Sequence, residues 1–430
     1  MKRTLILAVA LLAAACRPGE HVGTTVPDAR RPSPPATDLP RGSAPAVRVG
    51  IALDTPTVTV GAPAAFELRS LTGDVLARGN AGDRWQLTRA AGSRVRVVNG
   101  GRSLGEFALP VRVTARDQDF VEIDERRYRG TALINARGED RLTAINVVDI
   151  ELYLLGVVPR EMGRRPASEI EALKAQAIAA RTYAIGNLGG RENQGFDYYA
   201  TIMDQVYGGV VDEDTIVSRA VTETRGEILT YQGRPIFAYY SSTCGGHTAD
   251  VEASWPSRGM SHAYLRGVSD RIPGTDDYYC SSSSRFRWRT EWTREQLLAV
   301  LGQTLAAHTR GAVTRVQRVN DVRLVKRGEA AERATVEITA DGRSYTLRAD
   351  SVRWVLRPTP GPALLNSSML FSMGATHDGG EVEHLAVEGA GWGHAIGMCQ
   401  VGAMGRARAG HSYRDILLAY YTGTRLERLY

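Results

Sequence analysis

Long apolar runs, basic tracts and cysteine pairs are all scarce in this 430-residue chain. After the first sixteen residues no segment approaches the ~20 apolar residues that a membrane helix requires, which excludes a polytopic membrane protein. The formal net charge of +6 comes from 53 Lys and Arg against 47 Asp and Glu and is spread along the chain. No basic stripe marks a nucleic-acid surface, so nucleic acid is not an expected partner. The Gly-rich stretch near the end lacks the spacing of a phosphate loop, which argues against nucleotide binding. Seven Phe and six Trp stand beside 17 Tyr and 45 Gly, pointing to a glycine-rich, tyrosine-lined surface rather than a very aromatic core. A composition of 43% hydrophobic and 23% charged residues is that of a globular chain, and the length suggests two or three domains.

The start has a different character. Lys2 and Arg3 precede an apolar run from Leu5 to Ala15, and small residues lead into Cys16. This pattern predicts a secretory lipoprotein signal over residues 1–15, with Cys16 as the lipidated residue that holds the chain to a membrane. Arg17 is not the aspartate linked with inner-membrane retention, which favours the periplasmic face of the outer membrane. Residues 16–46 hold seven prolines and no apolar run, the composition of an extended tether.

From Val47 to residue 126, runs such as Val47–Ile51, Thr57–Val60, Phe66–Leu68, Arg94–Val98 and Val111–Val113 alternate with a period of two between turn residues. They predict antiparallel strands and a β-rich lead-in module. Residues 127–430 mix both patterns, so the fold class expected is α+β. There Pro159 is expected to break the apolar stretch Leu152–Val158, and Ser168 with Glu171 reads as a capping box opening an Ala-rich helix, Ile170–Ile185. A second helix is expected over Thr215–Arg225, and a hairpin from Glu227–Tyr231 and Ile236–Tyr240. Further on, a helix over Arg294–Leu305, three strands, and closing helices from Val401 and over Tyr413–Tyr421 complete the reading.

Three places carry chemistry. Glu161 follows an apolar run, and a carboxyl held against Val157, Val158 and Met162 would have a raised pKa suited to a general acid. The competing reading is a surface glutamate paired with Arg160, Arg164 or Arg165. Cys244 and His247 form a Cys-x-x-His unit with Cys280 and Cys399 elsewhere. A Cys244–Cys280 disulfide is the favoured reading for an exported chain, with a zinc site on Cys244 and His247 or unpaired thiols as alternatives and no cofactor otherwise expected. His394, between Gly393 and Ala395 in a glycine-rich loop, and the amide of Gln400 could meet a closely approaching substrate.

In order, these segments resemble the SpoIID/LytB family of stage II sporulation protein D and amidase-enhancer proteins. The carrying motifs are Leu154–Met162, Ala172–Ala184, Asp204–Gly209, Ala238–Thr248 and Gly391–Ala403. The resemblance implies a mixed α/β domain with a glycan-binding groove. It further implies that Glu161 is the catalytic residue of a lytic transglycosylase acting on denuded peptidoglycan strands. The same family includes members that enhance a cell-wall amidase without cutting glycan themselves, which is the alternative function. Arg181, Tyr183, Tyr239, Ser242, Thr243, His394 and Gln400 are then the expected groove residues. The chain departs from the family pattern at Cys399, where Ser is frequent, and at Ala395, where Gly is usual.

Overall fold

The computed structural model describes residues 43–116, 120–256, 259–309 and 311–430. The expected signal, Cys16 and most of the tether lie outside these residues. Alternating burial builds the first half: Val58 and Val60, Trp85 and Leu87, Val95 and Val97, and Val111 and Val113 all point inward from their strands. A six-stranded sheet orders strands 126–129, 120–123, 57–61, 84–90, 94–99 and 102–108. A seven-stranded sheet orders 198–199, 46–55, 141–149, 131–137, 111–115, 66–70 and 75–79. Strands from both sides of position 126 thus pair in one sheet, as Ala46–Thr55 does with Arg141–Asp149, and one continuous hydrophobic core runs from Val47 to Tyr421. The lead-in strands share this core with the helices after position 150 rather than standing apart from them.

The helices are α1 (Ile150–Met162), α2 (Ile170–Gly186), α3 (Thr215–Glu223), α4 (Val251–Ser254), α5 (Arg294–His308), α6 (Ser351–Val355), α7 (Gln400–Arg408) and α8 (Tyr413–Tyr420). Among the described residues no helix is long and apolar enough to cross a membrane. Helix α2 is enclosed on nearly every side, with its alanines and Arg181 alike buried. It packs on α1, α3, α7 and α8 and forms the spine of the domain. The expected capping box does not form: Ser168 lies in a short 3-10 turn, and Glu171 instead bonds Lys174 and accepts the Tyr413 backbone N–H. Pro159 does not break the apolar stretch either. It sits inside α1, and its carbonyl accepts the Gly163 N–H at 2.9 Å, so the helix runs on through Glu161.

The expected hairpin is reduced to Glu227–Tyr231 paired with Arg234–Pro235, the other edge being taken by Arg425–Arg428. Tyr240–Ser241 pairs instead, in parallel, with Met398–Cys399. A second hydrophobic cluster lies between Trp288 and Val387. There α5 and α6 cover two three-stranded sheets, 287–293/381–390/370–378 and 319–326/335–340/343–348. This unit is inserted between Cys280 and the glycine-rich run at 389–397, so that run returns to the first core beside strand 240–241.

Candidate active site

Glu161 stands on the last turn of α1, with Val157, Val158 and Met162 of the same helix buried in the core. The 204–209 loop lies against this helix because position 156 is a glycine, where a Cβ would come within 2.7 Å of the Tyr207 ring. The Gly208 N–H bonds the Gly156 carbonyl at 3.3 Å, and the loop then aims the Val206 N–H at Glu161 Oε1, 3.0 Å away. From the opposite side Gln400, the first residue of α7, donates through Nε2 to Glu161 Oε2 at 3.4 Å and to Gln176 Oε1 at 3.4 Å. Three distant stretches of chain therefore converge on one carboxyl group.

That carboxyl forms no ion pair among the described residues. Arg160 is engaged by Asp212 at 2.5 Å, and Arg165 by the Met162 carbonyl and Glu169. The reading of Glu161 as a surface glutamate salt-bridged to Arg160, Arg164 or Arg165 finds no such pair among the described residues. Burial raises its pKa, and the Val206 N–H and the Gln400 amide offset this only in part. The side chain is nevertheless half-buried rather than sealed. A carboxyl that is dehydrated by its surroundings, unpaired with a cation and still reachable is what a general acid requires.

The other expected site residues divide into two groups. Ser242 is half-buried next to the parallel pair 240–241/398–399, and its carbonyl accepts the Val401 N–H at 3.0 Å, tying it to the start of α7. His394 is also half-buried, and its Nδ1 accepts the Ile396 N–H at 3.0 Å, which leaves the ring's proton on Nε2 in the neutral form. Its ring faces those of Trp255 and Tyr239 at centroid distances of 5.0 and 6.2 Å. Tyr239 in turn meets Tyr183 at 6.0 Å, and Tyr183 donates its hydroxyl to Asp204 at 2.9 Å, at the root of the loop that carries Val206. Both tyrosines are buried and brace the site from within.

Thr243 is fully buried, with its Oγ1 2.9 Å from the hydroxyl oxygen of Ser283. Arg181 has no exposed surface at all. Its guanidinium grips Glu151 through Nε and Nη2 at 2.8 and 2.7 Å and donates to the Glu227 and Val221 carbonyls. Neither residue can touch a sugar from there, which corrects the expectation that placed both in a groove. A helix surrounded on nearly every side has no wet face to which an arginine could reach.

The cysteines follow the third alternative, unpaired thiols, rather than the disulfide or the Cys244–His247 zinc pair. Cys244 and Cys280 are free thiols with their sulfurs 3.6 Å apart, not a disulfide. His247 turns its Nδ1 to the Thr248 carbonyl at 2.7 Å and takes no part in a metal-capable group with Cys244. That group consists of Cys244, Asp270, Cys280 and Cys399. Sequence reasoning also missed Gln176, the Val206 N–H and Trp392. Trp392 is 46% exposed, exchanges two backbone hydrogen bonds with Thr243, and has the Arg285 guanidinium 5.3 Å from its ring centre. An aromatic residue flanked by two glycines was the available signal for it.

Comparison with known proteins places the same segments in a family. Residues 138–231 match the family model described as stage II sporulation protein, and residues 257–397 match a domain of unknown function, DUF8618. The chain is 34% identical over 313 residues to an uncharacterized protein of Brachyspira hyodysenteriae, covering 71% of this chain and 74% of that one. It is 30% identical to the amidase enhancer of Bacillus subtilis, covering 64% of this chain but only 40% of that protein. It is 29% identical to stage II sporulation protein D of the same organism, covering 66% and 76% respectively. The match to stage II sporulation protein contains α1 with Glu161, all of α2 and the 204–209 loop, and on these grounds the chain belongs to the SpoIID/LytB family.

Proposed function

We propose that this protein is a lytic transglycosylase that cuts peptidoglycan glycan strands between N-acetylmuramic acid and N-acetylglucosamine, with Glu161 as its single acid and base. The observation that carries the reading is the state of Glu161: dehydrated, without a cation, reachable, and oriented by a backbone N–H and an amide. Ordinary glycoside hydrolysis uses two carboxylates. Here the sugar supplies the second function. Glu161 gives its proton to the bridging oxygen as the C1–O bond breaks, the C6 hydroxyl oxygen bonds to C1, and the proton released from that hydroxyl returns to Glu161. No water is consumed and the product carries a 1,6-anhydro ring. Ser242 and His394 are suited to hydrogen-bonding acetamido sugars, and the exposed Trp392 face to stacking on a sugar ring.

The amidase enhancer among the relatives motivates the competing reading, a module that binds peptidoglycan and stimulates a separate cell-wall amidase. Purified protein incubated alone with denuded strands separates the two by mass spectrometry. Fragments ending in anhydro-muramic acid support cleavage; no fragments, with stimulation of an added amidase, support the enhancer. A place in the cell envelope, anchored by a lipid on Cys16, belongs to the same proposal. Its test is a Cys16→Ser variant that leaves the membrane fraction.

A further inference from the structure

Beyond the glutamate site the fold buries a second group of chemically active side chains, and they come from separate stretches of sequence. Cys244 follows strand 240–241, Cys399 lies in the strand paired with it, and Asp270 and Cys280 come from the segment that leads into the inserted unit. All four are at most 1% exposed, and one ligand atom from each lies within 4.8 Å of all the others. We propose that these four residues form a structural site for a thiolate-preferring divalent cation, zinc by its chemistry, which fixes the start of α7 and with it Gln400.

The distances suit a tetrahedral ion. Zinc–sulfur bonds of about 2.3 Å place two ligand sulfurs about 3.8 Å apart, and a zinc–oxygen bond of about 2.0 Å brings a sulfur and a carboxylate oxygen to about 3.5 Å. The Cys244 and Cys280 sulfurs are 3.6 Å apart, and Cys244 Sγ is 3.7 Å from Asp270 Oδ2. A disulfide needs about 2.05 Å and would leave the third sulfur and the carboxylate stranded in the core.

The surroundings are also those of a metal-thiolate centre. Cys399 Sγ accepts two backbone N–H groups, from Cys244 at 3.2 Å and from Gly402 at 3.3 Å, and these donors favour the thiolate over the thiol. Asp270 has one oxygen already occupied: Oδ1 accepts from the Tyr420 hydroxyl at 2.6 Å and from Arg406 at 3.3 Å. Oδ2 is the oxygen turned toward the sulfurs, so outer partners orient the carboxylate as they do around bound metals. Gly402 is required for this approach, since a Cβ there would lie 2.2 Å from the Tyr420 hydroxyl and 2.4 Å from Asp270 Oδ2. Three thiolates and a carboxylate around a dication leave a net charge of minus two. Arg406 and the buried Arg333, which lies within electrostatic reach of Cys244, balance it. Sulfur donors select zinc over calcium or magnesium.

The test uses the full chain, purified without chelator and again after reduction and incubation with zinc chloride, with metal content measured by plasma mass spectrometry. One zinc per folded chain is expected. Cobalt loading should give the visible bands of a tetrahedral ion and the near-ultraviolet sulfur-to-cobalt charge transfer. Cys280→Ser and Asp270→Asn should each lower zinc occupancy, while His247→Ala should retain it. The idea is overturned if folded wild-type chain stays metal-free under both conditions, or if metal-free folded chain yields a Cys244–Cys280 disulfide peptide. Metal content is read without activity, so neither result bears on Glu161.

Discussion

Glutamates 151 and 161 sit at the two ends of one helix, both largely withdrawn from water, yet their surroundings give them opposite chemistry. Glu151 would be pushed up by its burial, but the two-point grip of Arg181, the Tyr430 hydroxyl at 2.5 Å and the Gly226 N–H outweigh that and hold its pKa below the usual carboxylate range. Among the described residues Glu161 has only an N–H and an amide, so burial wins and its pKa rises. The first is a permanent anion that locks α1 to α2 and to the C-terminal residue. The second can hold a proton and give it away. Burial alone therefore does not leave a carboxyl ready to hold a proton near neutral pH; burial without a cation does.

The contrast is broken most severely at Glu161. Replacing a positioned general acid typically costs about 10²–10⁴-fold in rate, so Glu161→Gln should lose that much anhydro-product release while its thermal midpoint stays close to wild type. Next comes Arg181→Met, which strands the Glu151 charge in the core. It should cost about 3–5 kcal/mol in denaturant unfolding, with activity per folded molecule retained, and adding Glu151→Leu should recover most of the loss. Gln400→Ala removes a long hydrogen bond that favours ionised Glu161. An effect of about 0.5–1.5 kcal/mol would slow cleavage a few-fold and shift the alkaline limb of its pH profile upward.

The smallest effect is on stability against pH. Glu151 binds its proton less readily folded than unfolded, so its contribution is complete above the ordinary glutamate value and fades as pH falls through its lowered folded value. Glu161 runs the other way: folding favours its protonated form, and stability declines as pH rises from the ordinary value to the raised one. Denaturation midpoints across this range should show that Glu161→Gln flattens the second slope and leaves the first.

Much of the fold was legible in the residues. Period-two runs such as Val95–Val97 and Val111–Val113 form strands with those side chains inward. Helix α2 begins at the expected residue and ends one residue later than expected. The differences lie where tertiary packing decides. Pro159 is carried by a helix whose buried face holds it in place, which a local rule about proline cannot foresee. Arg181 reads as a groove residue through its motif, although the alanines around it already imply that no face of α2 is wet. The thiol group is opaque for another reason: Cys399 lies 155 positions after Cys244, and only the parallel pairing of 240–241 with 398–399 brings them together.

The most direct test is to titrate Glu161 itself. Carbon-13 carboxyl shifts of the glutamate-labelled chain, with Glu161→Gln and Glu151→Gln used to assign the two signals, report each proton separately. The account predicts that the Glu161 signal titrates above the ordinary glutamate range and the Glu151 signal below it. A Glu161 carboxyl that ionises at or below the ordinary value would contradict its role as the proton donor.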